Sequence, residues 1–143
     1  MVDESASVGT SNFNVMKSFM SLLVGTLDID SGNTRVGVVT YSSTVGTTIN
    51  LNDHSTLVTL QQAIYSLPYR ALGTDTGTAL AYVRTVMLTA AAGDRPDVPN
   101  VVVLFIDGQS NNVSASRVSI KFAELYMSLV ELEIYYIMTR KTR

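Results

Sequence analysis

The feature that most constrains this chain is Val101-Val102-Val103-Leu104-Phe105-Ile106, an unbroken apolar run that stops at Asp107-Gly108. It is too short for a helix and shows no polar alternation, so it predicts a strand buried on both faces, as in the centre of a parallel sheet. Such a strand needs helices on each side. Phe13, Met16, Met20, Leu23 and Leu27 recur at three- and four-residue steps and predict an amphipathic helix over 12–27, with Ser11 as its cap. Leu57, Leu60, Ile64 and Leu67 predict a second helix over 55–67, stopped by Pro68. Leu80, Val83 and Met87 predict a third over 76–92, closed by Gly93. A helix over 114–129 and a strand over 133–139 complete the pattern.

Residues 35–41 and 45–51 read as two strands with only Ser42-Ser43-Thr44 between them. A parallel crossover needs about a dozen residues, so these two predict an antiparallel hairpin at a sheet edge. The fold class expected is therefore α/β: an open, doubly wound, mostly parallel sheet with one antiparallel edge strand. Residues 1–143 form one domain in this reading. Ahead of the first helix only Met1-Val2 is left to serve as a strand, and no helix follows the last strand before Arg143. The expectation is a domain cut short at both ends, lacking most of its first strand and its final strand and helix.

Composition narrows the function. Ten basic residues against twelve acidic ones give a net charge of -2, which offers no pull towards nucleic acid or an anionic membrane. No apolar run approaches the ~20 residues of a spanning helix, so membrane insertion is not expected. Cysteine is absent, which removes disulfides and thiolate metal sites. Met1-Val2-Asp3-Glu4 lacks the features of a secretory signal, leaving a cytosolic protein or a mature or excised piece. His54, the single histidine, lies between a strand and a helix, and no G-x-S-x-G elbow or glycine-rich phosphate loop occurs. A non-enzymatic module is expected. Asn112-Val113-Ser114 fits a glycosylation acceptor, a pattern frequent by chance.

What remains is a set of hard oxygen donors. Asp3-Glu4-Ser5-Ala6-Ser7 places three of them on alternate residues, on one side of an extended segment. Thr74 lies in the loop before the third helix, and Asp107 follows the apolar strand at its C-terminal end. Ligands of open α/β sheets bind beyond the C-terminal strand ends, where these segments can meet. Few donors with two charges suit an octahedral Mg²⁺ or Mn²⁺ that keeps waters. The competing reading is that these side chains only cap backbone N–H groups, with Thr76 as the cap of the third helix.

Asp3-x-Ser5-x-Ser7, then Leu72-Gly73-Thr74-Asp75-Thr76-Gly77-Thr78-Ala79-Leu80, then Gly93-Asp94-Arg95-Pro96 and Val102 through Ser110, resemble in order and spacing the von Willebrand factor A domains, nearest to those of collagens and matrilins. The resemblance implies a metal-ion-dependent adhesion site of the kind integrins also carry. Ser5, Ser7 and Thr74 would bind the cation directly, Asp3 and Asp107 largely through water, and a carboxylate of a protein ligand, such as collagen or another matrix protein, would take the open position. Leu72 and Ile106 stand where the family usually has glycine and threonine, neither a ligand position. An extracellular module of matrix or cell surface is what the resemblance implies. The alternatives are an intracellular scaffold of the same fold and a degenerate fragment that binds nothing.

Overall fold

A computed structural model describes residues 1–106, and the backbone of residues 133–138. The elements run β1 (Val2–Asp3), α1 (Gly9–Val24), β2 (Val38–Tyr41), β3 (Val45–Ile49), α2 (Leu57–Tyr65), α3 (Thr76–Tyr82), β4 (Val101–Ile106) and β5 (Glu133–Met138). The strands form one sheet in the order β3-β2-β1-β4-β5, parallel except for the β2–β3 hairpin at one edge. The expected mixed α/β sheet is present. The helix expected over 114–129 and the acceptor pattern at Asn112 lie outside the described residues.

The first strand is as short as expected and is the middle strand of the five: Val2 pairs with Thr40 of β2 and with Phe105 of β4, and Asp3 pairs with Tyr41. Two residues suffice because both flanks are hydrogen-bonded and Val2 is fully buried. The apolar run 101–106 is an interior strand beside it.

Alternation along the strands sorts the core into two layers. Val2, Val38 and Phe105 face Phe13, Met16 and Met20 of α1 and Leu60 and Ile64 of α2. Val39, Tyr41, Val102 and Leu104 face Ala79 and Leu80 of α3, with Val83 and Met87. Helices therefore cover both faces, which is why β2 and β4 are apolar at successive residues.

Several boundaries differ from the periodicity. α1 starts at Gly9 instead of residue 12 and has no side-chain cap; Ser11 lies inside its first turn. The Gly9 amide donates instead to the Tyr69 hydroxyl at 3.0 Å, a partner sixty residues away that local pattern does not reveal. β2 begins at Val38, three residues later than expected. α2 starts at Leu57, its Thr56 hydroxyl accepting from the Thr59 amide. The third helix is broken: after Tyr82 it widens into a π turn over Val83–Met87, followed by a 3-10 turn over Ala90–Ala92. Gly93 ends it with φ 93°, a left-handed conformation that glycine adopts without strain.

Candidate metal centre

The site grows from the end of β1. Asp3 closes the strand, and one of its carboxylate oxygens accepts the Ser5 amide at 2.8 Å. That bond turns the chain, as aspartate does in an Asx turn, and the Val8 amide then donates to the Ser5 carbonyl at 3.2 Å. The two hydroxyls of Ser5 and Ser7 converge to 3.0 Å through this turn. They do not converge by alternation along an extended segment, which ends at the strand. Asp3 and Ser5 are each only 1% exposed.

A second segment, Tyr69 to Thr74, is strapped across the turn. Leu72 forms a parallel bridge with Ser5, and its carbonyl accepts the Ala6 amide at 2.7 Å. The Ala71 amide donates to the Glu4 carbonyl at 3.1 Å. The Tyr69 hydroxyl donates to the Ser5 carbonyl at 2.8 Å. Ala71 itself has φ 57°, the left-handed region that a non-glycine residue enters only where its surroundings hold it there. Past Thr74, the Asp75 amide donates to the Ser42 carbonyl at the end of β2, at 2.6 Å. Thr74, 6% exposed, is thereby held at the same end of the sheet as Asp3, Ser5 and Ser7.

Thr76 is not the helix cap. Asp75 caps α3, accepting the Thr78 amide at 3.0 Å and the Thr78 hydroxyl at 2.8 Å. The buried Thr76 hydroxyl donates to the Tyr41 hydroxyl at 3.4 Å and serves the packing of α3 on β2. Asp107 lies outside the described residues. β4 ends at Ile106, one residue beyond the Phe105 that pairs with Val2, so its C-terminal end adjoins that of β1.

Two buried polar groups here were not singled out from the sequence. Ser42, one residue past β2, is fully buried, and its hydroxyl has no hydrogen-bond partner among the described residues. A hydroxyl just past a buried strand end was the available signal. Glu4, between two site residues, is also fully buried. Burial pushes its pKa up, and Arg70, with its Nε 3.8 Å from the carboxylate, opposes that rise. Converging serine hydroxyls next to a buried aspartate suit a hard divalent cation that takes oxygen ligands. Among the described residues no three His, Cys, Asp or Glu side chains cluster as a metal site, so hydroxyls would carry much of the ligation.

Fold and site define a class: an open α/β domain with a hydroxyl-and-carboxylate cluster at the C-terminal ends of its central strands. The model of the von Willebrand factor type A domain matches residues 1–132, and the chain belongs to that family. Among its relatives, the mouse collagen alpha-4(VI) chain is 38% identical over 114 residues, which are 78% of this chain and 5% of the collagen chain. Human matrilin-4 is 37% identical over 115 residues, 78% of this chain and 18% of the matrilin. The chain thus spans a small part of these relatives. The structure of proximal thread matrix protein 1 from the mussel byssus superposes with a TM-score of 0.83 at 26% identity, covering 96% of this chain and 35% of that one. Another structure of the same protein, with a TM-score of 0.82 at 27% identity, has its MIDAS motif occupied by zinc.

Proposed function

We propose that this domain is a divalent-cation-dependent protein-binding module of the extracellular matrix or cell surface. Asp3, Ser5, Ser7, Thr74 and Asp107 hold the cation, Mg²⁺ or Mn²⁺ by the hardness of their oxygen atoms. The observation that carries this reading is the Ser5–Ser7 hydroxyl pair at 3.0 Å, with the segment leading to the buried Thr74 bridged to Ser5 at Leu72. When bound, the cation supplies an open coordination position for a carboxylate of the partner protein. Collagen or another matrix protein presenting an acidic residue is the class of ligand.

The protein's own groups have distinct tasks. Asp3 supplies charge and, through its bond to the Ser5 amide, fixes the turn. Ser5, Ser7 and Thr74 contribute hydroxyl oxygens, those of Ser5 and Thr74 from buried residues. Kinship to collagen and matrilin chains and to a byssus matrix protein supports an adhesive role outside the cell and not an enzymatic one. Calorimetric titration of Mg²⁺ and Mn²⁺ into protein stripped with EDTA tests the reading. Saturable one-site binding is expected; absence of heat with both ions would sink it.

A further inference from the structure

We infer that Glu4 and Arg70 form a positioning pair that locks the Tyr69–Thr74 strap onto the Asp3–Ser7 turn and so sets where the Thr74 hydroxyl stands. The inference rests on the cation-site reading for its functional meaning and on the strap geometry for its physical content.

Glu4 occupies the free position of Asp-x-Ser-x-Ser, and a fully buried glutamate there has a cost, because its two oxygens have no hydrogen-bond partner among the described residues. Room is nevertheless made for it. A Cβ on Gly46 would overlap the Glu4 carboxylate and the Thr40 hydroxyl, so the glycine in β3 opens the space the carboxylate fills. The Thr40 hydroxyl beside it accepts the Thr47 amide at 2.8 Å and, with the Arg70 backbone, favours the charged carboxylate of Glu4. The cation Glu4 meets is Arg70, at 3.8 Å, and Arg70 immediately precedes Ala71, the residue held at positive φ.

The backbone explains why this pair has leverage. Glu4 is gripped by β2, its amide donating to the Tyr41 carbonyl at 2.8 Å, and its own carbonyl receives the Ala71 amide. The same residue therefore contacts the sheet, the strap backbone and the strap's arginine. Three residues separate Arg70 from Thr74, the strained Ala71 first among them. An anchor at that point limits how far the strap can slide along Glu4-Ser5-Ala6. The Glu4 carboxylate lies beside Gly46, Thr40 and Arg70 and acts on the strap through Arg70; it is a positioning residue and not a ligand.

The test uses Glu4→Gln, Arg70→Met, Arg70→Lys and the double variant of the first two. Mn²⁺ affinity is measured by calorimetry, and exchange of the Ala6 and Ala71 amides by mass spectrometry or NMR on metal-free protein. Glu4→Gln and Arg70→Met should each weaken Mn²⁺ by about tenfold, at the lower end of what partners behind metal ligands contribute. The double variant should be no worse than the weaker single one, and Arg70→Lys should recover part of the loss. Both amides should exchange faster in the variants while the Leu60 and Ile64 amides of α2 do not. A purely structural role would lower the melting midpoint and leave Mn²⁺ affinity within about twofold of the parent; that result overturns the inference. Where the parent itself takes no Mn²⁺, the cation reading fails, and amide exchange decides alone. Faster exchange at Ala6 and Ala71 upholds the lock, and unchanged exchange removes it.

Discussion

The two ends of the sheet around β1 are built on opposite principles. At the C-terminal end, polar groups are buried and cross-tied: Asp3 to the Ser5 amide, Tyr69 to the Ser5 carbonyl, Leu72 to Ala6, Asp75 to Ser42. At the N-terminal end lies a cavity of about 480 Å³ with a mainly aliphatic lining, including Met20, Val24, Val38, Val83, Met87 and Val102. There the Met1 ammonium, buried, donates to the Val103 carbonyl at 2.7 Å, and burial pulls its pKa down to about 5. At the N-terminal end the directional bonds sit at the rim of the cavity, from Arg35 to the Gly93 carbonyl and from Arg95 to the Gly32 and Asn33 carbonyls, whereas at the C-terminal end they run through the buried turn itself. Directional bonds fix atoms within fractions of an ångström, as ligation demands.

The strongest way to break this comparison is at the polar end. Thr74→Ala removes a proposed ligand and should cut Mn²⁺ affinity by more than the roughly 100-fold typical of partners behind metal ligands, with the melting midpoint changing much less. Its near neighbour is the control. Thr76→Ala should keep Mn²⁺ affinity and lose about 1 kcal/mol of stability, the worth of a buried hydroxyl bond such as the one to Tyr41. A Thr76→Ala variant that loses the metal while Thr74→Ala keeps it would assign the wrong threonine to the site.

Tolerance of added volume should differ next. Gly46→Ala pushes a methyl into the Glu4 carboxylate and the Thr40 hydroxyl, and should cost about 1–3 kcal/mol as overpacking does. At the other end, Val38→Ile adds one methylene towards the cavity and should be neutral or gain about 0.5 kcal/mol, the lower range for cavity filling. Urea denaturation of the two variants reads both numbers. Equal destabilisation would mean that both ends are packed alike.

The smallest effect is on pH dependence. Glu4 has its pKa raised from 4.5, so the folded state binds more protons and stability falls as pH climbs from 4.5 through the raised value. Glu4→Gln removes that effect. As pH rises from 4.5 towards neutrality, the melting midpoint should then fall less, or rise more, in the variant than in the parent, and the opposite ordering contradicts the assignment.

The sequence by itself determined the class of fold. The run 101–106, the helical spacing of Phe13, Met16 and Met20, and the three-residue gap after Tyr41 each encode burial or reach, which act over a few residues and are readable locally. The proposed donors Asp3, Ser5, Ser7 and Thr74 stand out locally as a hard-oxygen pattern beyond strand ends, and the structure brings these residues to one end of the sheet. Tertiary structure alone decided the rest. That two residues could be the middle strand depends on neighbours 38 and 103 positions away, Thr40 and Phe105. The start of α1 was decided by Tyr69, and the roles of Glu4 and Ser42 by Arg70, Gly46 and Asp75. Caps and buried polar groups are settled by whichever partner satisfies the orphaned atom, and when that partner is distant in the chain no local pattern names it.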